Sequence, residues 1–167
     1  MLRLAVRLAI AAWAASLPAV AAAGGAEVSF SDPSKFTDIG HYADRSEAKA
    51  NCDEIAAHLK KLAERELPDD EMLQIQVLDV DLAGRFEPWP HHEWDVRVMR
   101  PVSWPSIKLR YSLTHNGEVV ANGDEVVSDM DYLRRINTYP ASDSLRYEKR
   151  MLDDWFAHRF SASGGLK

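Results

Sequence analysis

Hydrophobic and polar positions divide the chain into segments of different period. Leu8 to Ala23 carries no charge. Glu27 to Ser31 alternates polar and apolar residues, the period of a short strand, and Asp32-Pro33 ends it with turn chemistry. Residues 34–43 read as a loop. From about Arg45 to Glu66, Ala48, Cys52, Ile55, Ala56, Leu59, Leu62 and Ala63 recur at three- and four-residue spacing. That is one buried stripe of a helix, with Lys49, Asp53, Glu54, Lys60, Lys61 and Glu64 on its other face. Asp44 and Glu47 have the spacing of a capping box. Leu67-Pro68 stops the helix, because the residue before a proline avoids the α region.

Met72 to Leu82 predicts a strand whose apolar face switches. Leu73, Ile75 and Val77 share one side, and Leu78, Val80 and Leu82 the other. A bulge near residue 78, or burial on both faces, accounts for the switch. Residues 85–105 are rich in proline and aromatic residues, with a short strand suggested at Val96 and Val98. Ile107 to Thr114 alternates cleanly, and Asn116-Gly117 after it is a strong hairpin signal. Val119 to Val127 is the return strand. Residues 128–144 read as loop. A last helix runs from about Leu145 to Phe160, its apolar face carrying Tyr147, Met151, Leu152, Trp155, Phe156 and Phe160. Lys149–Asp153 and Arg150–Asp154 are expected to pair along its surface. Ser161 to Lys167 reads as a frayed tail. The order β-α-β-(β)-β-β-α predicts an α+β domain: an antiparallel or mixed sheet of four to five strands, with two main helices on one face.

The first segment changes the picture of the whole. Arg3 and Arg7 precede the uncharged run, which ends in Ala21-Ala22-Ala23. This is the layout of a secretory signal peptide, and the run is short for a spanning anchor. The cut is expected after Ala21, Ala23 or Ala26, with residues 1–23 as the leader and Gly24 to Ala26 as a flexible start. No membrane anchor is expected after cleavage. The remaining 144 residues suit one domain, 24–167, with an ordered core over 27–160. The expected location is the periplasm or the exterior. The single cysteine, Cys52, lies on the helix stripe as core filler and has no partner for an internal bridge. The whole chain carries −6; without Arg3 and Arg7 it has 18 basic and 26 acidic residues, a net −8. That balance argues against nucleic acid and anionic membrane surfaces.

Candidate chemistry is sparse. Asp79 and Asp81 flank Val80 on a strand, so both carboxylates face one side, within reach of a common cation. Asp129 and Asp131 form a second acidic pair after a strand. The four together define a weak candidate metal site for a hydrolase. His91, His92, Glu93 and Asp95 concentrate metal-capable groups, at a spacing that matches no zinc motif. Trp89, Trp94 and Trp104 sit in proline-stiffened loops, where aromatics anchor sugars, extended peptides or protein interfaces. There is no nucleophile elbow, no phosphate-cradling glycine loop and no CxxC, and no cofactor is implied.

Five stretches carry a resemblance: Val28–Ile39 (VSFSDPSKFTDI), Asp79–Arg85 (DVDLAGR), Trp104–Leu113 (WPSIKLRYSL), Gly123–Leu133 (GDEVVSDMDYL) and Tyr147–Phe156 (YEKRMLDDWF). Through them the chain resembles a family of small exported proteobacterial proteins classed only as a domain of unknown function. The resemblance implies export and one domain, and no activity. The helix–strand–hairpin order is also similar to small envelope domains that act as assembly or activator modules. The leading expectation is a non-catalytic envelope binding or accessory module, with Trp89, Trp94, Trp104, Asp79 and Asp81 toward the partner, an envelope protein or a small molecule. The alternatives are a metal-dependent hydrolase built on the paired aspartates and a carrier of a small apolar ligand.

Overall fold

A computed structural model describes residues 24–41, 45–87 and 96–160. Strand β1 (Gly25–Phe30) leads through a 3-10 turn (Pro33–Lys35) into helix α1 (Arg45–Glu66). Then come β2 (Glu71–Asp81), the short β3 (Arg85–Glu87) and β4 (Val96–Val98), the hairpin β5 (Ser106–His115) and β6 (Glu118–Ser128), and helix α2 (Arg146–Phe160). One mixed sheet has the order β1-β2-β5-β6, and β3 pairs with β4 in a separate two-stranded ribbon. Among the described strands, β1 and β2 are the pair that runs parallel, and α1 is the crossover that such a pair requires. The α+β expectation holds. The short β3 was not legible in the sequence.

The alternation of each strand decides which face the helices cover. Leu73, Ile75 and Val77 of β2 and Ile107, Leu109 and Tyr111 of β5 point inward and are buried. They meet Ile55, Leu59 and Leu62 of α1 and Leu152 and Phe156 of α2. Each such side chain, fully buried, contributes roughly 1.5–3 kcal/mol of transfer free energy. These residues fill the space between sheet and helices, where an apolar cargo would need room. Cys52 is buried there, as its place on the stripe suggests. The register slips between Val77 and Asp79, so Leu78 is the bulge that the face switch announced. At the hairpin, Asn116 and Gly117 both have positive φ, 51° and 84°, the primed turn that matches strand twist. Gly123 lies under the Tyr111 ring; a Cβ there would sit 3.2 Å from the ring edge.

Two expectations are corrected. Gly24 to Ala26 are not a loose start: Gly24 is buried, and Gly25 and Ala26 pair with Met72 and Leu73. Lys149 does not pair with Asp153. It binds Glu54 of α1 and Asp143, the latter at 2.6 Å. Asp153 instead accepts from the Tyr139 hydroxyl at 2.7 Å and meets His58 Nε2 at 2.9 Å. Contacts across the helix–helix seam outcompete the neighbour along the helix surface, because they are partly desolvated. Arg150 and Asp154 do approach, at 3.8 Å. Asp44 and the tail 161–167 lie outside the described residues. Glu47 accepts the His41 backbone N–H at 2.9 Å.

The Tyr139–Asp153–His58 contacts fasten the loop before α2 onto both helices. Burial, and then the hydrogen bond to Asp153, push the Tyr139 phenol up. Burial also works against the Asp153 charge, but hydrogen bonds from His58 and Tyr139 outweigh it and hold that carboxyl below its usual value. Tyr139→Phe is expected to cost about 1.5–3 kcal/mol, the range for a hydrogen bond to a charged group. A urea midpoint unchanged in this variant would show that the hydroxyl is idle.

Candidate functional site

The sheet face away from the helices is open and polar. A groove of about 570 Å³ crosses it, lined among others by Glu27, Ser29, Gln74, Gln76, Arg110 and Ser112. Asp79 and Asp81 lie further along the same face, in register with Lys108 and Ser106. They share a side, as period-2 geometry requires. Each is nevertheless engaged separately. Asp79 accepts from the backbone N–H and the hydroxyl of Thr37, both at 2.7 Å. Asp81 receives a bidentate pair from Arg85 at 2.5 and 2.9 Å. That fork raises the arginine's already high pKa.

The second acidic pair belongs to the other side of the sheet. Asp129 accepts the Asp131 N–H at 3.0 Å, an Asx turn. Its other oxygen lies 3.6 Å from Arg135, which reaches Asp154 of α2 at 2.8 Å. Asp131 is exposed beside Arg134. The four aspartates are therefore not brought together. Among the described residues, no three His, Cys, Asp or Glu side chains are placed to hold an ion. Trp89, Trp94, His91, His92, Glu93 and Asp95 lie outside the described residues. Trp104 is half-buried.

The structure assembles a different polar cluster, at the end of β2. Residues 37–39 add to the sheet edge there: Asp38 N–H donates to Val80 and the Leu82 N–H to Asp38. Arg97 of β4 donates to the Asp38 carboxylate at 2.9 Å and to the Ala83 carbonyl at 3.0 Å. It also lies 4.3 Å over the Phe86 ring, a cation–π placement. Gly84 turns at φ +80°, where a Cβ would be 2.8 Å from the Val98 carbonyl. Only glycine serves there. Beneath this turn, Glu148 of α2 is 1% exposed. One of its oxygens accepts the Ala83 N–H at 2.7 Å, and the other has no partner. Burial pushes the Glu148 carboxyl up, against the Ala83 amide and Arg97, which favour its charge.

So the DVDLAGR stretch is a knot of backbone caps and ion pairs, closed on Asp38, Arg97 and Glu148, with no free carboxylate on it. A family model built on chains of this kind matches residues 24–158 and is described as "Protein of unknown function (DUF3016)". The chain belongs to the DUF3016 family. The DUF3016 match opens at Gly24, where β1 is about to begin, and closes within α2. No curated protein and no solved structure matches the chain.

Sequence reasoning missed Asp38, Arg97 and Glu148. Glu148 carried a signal: it lies three, four and seven residues before Met151, Leu152 and Trp155, on the buried stripe of a predicted helix. A carboxylate there has to be capped or neutral. Arg97 carried a weaker one, between two valines in a three-residue strand. Thr37 and Asp38 carried none, since only the parallel edge of β2 brings them into place.

Proposed function

We propose that the protein is an exported module of the cell envelope that binds another polypeptide and turns over no substrate. The observation that carries this is a set of exposed apolar side chains on two joined loops. Val102 is 78% exposed, Met130 65% and Ile136 85%, with Leu133 exposed beside them in sequence. The loops are held to each other. The Asp129 N–H donates to the Pro105 carbonyl at 3.3 Å, and the Tyr132 hydroxyl to the Arg100 carbonyl at 2.9 Å. Tyr132 is itself buried edge-on against Tyr147 at 4.8 Å. Apolar side chains on a pre-ordered frame dock at low entropy cost, and half-buried Trp104 lies in the same loop as Val102. The leader-like residues 1–23 support export. No helix among the described residues is long and apolar enough to cross a membrane.

The enzyme alternative has less support. Asp79, Asp81 and Asp129 are each held by separate partners, and Asp131 is exposed beside Arg134. A carrier of a small apolar ligand is disfavoured by the side chains that fill the space between sheet and helices. The test is a photo-reactive residue at position 102 or 130 of the exported chain, irradiated in cells. A discrete protein adduct is expected, reduced at least tenfold by Met130→Asp or Val102→Asp placed alongside, with the unfolding temperature held within about 2 °C, as surface substitutions allow. Turnover of an envelope substrate, lost in Asp79→Ala, would sink the proposal.

A further inference from the structure

We infer that the leader is cut at the Ala23–Gly24 bond or before it, and never after Ala26, so that Gly24 to Ala26 stay with the folded domain. This rests on the export reading above. Small residues occupy the two positions that a leader peptidase reads in Ala19-Val20-Ala21, in Ala21-Ala22-Ala23 and in Gly24-Gly25-Ala26. The peptidase's preference therefore leaves three bonds open. They differ in what the folded domain keeps.

Gly24 is buried. A Cβ on it would lie 2.2 Å from the Pro68 carbonyl oxygen and 2.6 Å from that of Leu67, so its backbone is pressed against the chain just beyond α1. Gly25 and Ala26 are the first two rungs of β1, opposite Met72 and Leu73. Ala26 packs on the core, and Leu73 beneath it is fully buried. A cut after Ala26 would remove two of six rungs and uncover that part of the core. It would also start the domain with a charged amine at Glu27, within the ladder.

A cut after Ala23 has the opposite effect. Water adds across the amide: the leader leaves with a carboxylate on Ala23, and Gly24 keeps the nitrogen as an ammonium. That positive charge sits beside the Leu67 and Pro68 carbonyls, past the C-terminal end of α1, where the helix dipole favours it.

The experiment is expression of the full chain, Met1 to Lys167, in a Gram-negative host, followed by fractionation and intact mass. A periplasmic species beginning at Gly24 or Ala22 is the expected result. A periplasmic species beginning at Glu27 overturns this inference and leaves export standing. An uncut chain confined to the cytoplasm overturns export and this site with it. A second measurement does not depend on export: chains released from a fusion with Gly24 or Glu27 as first residue are melted side by side. The shorter chain is expected to unfold at least about 5 °C lower, the scale of a 1–2 kcal/mol loss in a domain of this size. Equal unfolding temperatures overturn the inference.

Discussion

Arg97→Ala is expected to lower the stability of the domain by about 3–5 kcal/mol, the cost of stranding a buried charge. Asp38 and Arg97 are 11% and 17% exposed at their side chains and meet at 2.9 Å. The same guanidinium holds the Ala83 carbonyl and covers the Phe86 ring, so alanine removes a charge, a cap and a packing surface together. Arg85, 3.6 Å from Asp38, takes up part of the loss and sets the effect toward the lower bound. A double variant, Asp38→Asn with Arg97→Met, should cost less than Arg97→Ala alone, since it leaves no uncompensated charge. Urea unfolding at pH 7 reads both. A single variant within about 1 kcal/mol of the parent would show that the pair is solvated like a surface one.

Local chemistry explains why so much of the scaffold was legible. The α1 stripe, the stop at Leu67-Pro68 and the Asn116-Gly117 turn each need only neighbours in sequence to be understood. The bulge at Leu78 was legible for a similar reason. A period-2 face cannot switch unless a residue is inserted, and the sequence showed the switch. What escaped were pairings set by tertiary contact. Gly24 to Ala26 read as loose because glycine and alanine carry no pattern. Their order comes from β2 on one side and from the chain after α1 on the other. Lys149 and Asp153 had an ideal spacing for each other, and each found a less solvated partner on another element.

The candidate residues divide along the same line. Asp79 and Asp81 were rightly placed on one side of a strand, but free carboxylates and capped ones look alike in sequence. Thr37 and Arg85 are what spend them, and Thr37 arrives through the parallel edge of the sheet. The exposed apolar side chains at 102, 130 and 136 were hidden differently. A lone valine or methionine in a loop is ordinary. It becomes notable only when the backbone bonds at Pro105 and Arg100 bring two such loops to one place.

Glu148→Gln is expected to change how stability depends on pH, because the folded carboxyl titrates above the value near 4.5 that it has in an unfolded chain. With the folded value raised, the folded state holds the proton more tightly than the unfolded one. The stability that this group contributes is therefore complete below about pH 4.5 and is lost as pH rises through the folded value. Glutamine bears no charge at any of these pH values, and its carbonyl oxygen can still accept the Ala83 N–H. The variant should thus gain on the parent as pH rises above about 4.5, by about 1.4 kcal/mol per pH unit until the folded value is passed. Below pH 4.5 the two should differ little or favour the parent. Asp153 supplies a built-in contrast, since its lowered value makes its own contribution fall away on the acid side. Tyr139→Phe should therefore weaken the domain above pH 4 and matter less below it, opposite in sense to Glu148→Gln. Chemical unfolding of both variants between about pH 2 and 8 measures the two slopes, the Glu148 one above about pH 4.5 and the Asp153 one below about pH 4. Parallel curves for Glu148→Gln and the parent would mean that the Ala83 amide and Arg97 hold Glu148 charged under its turn.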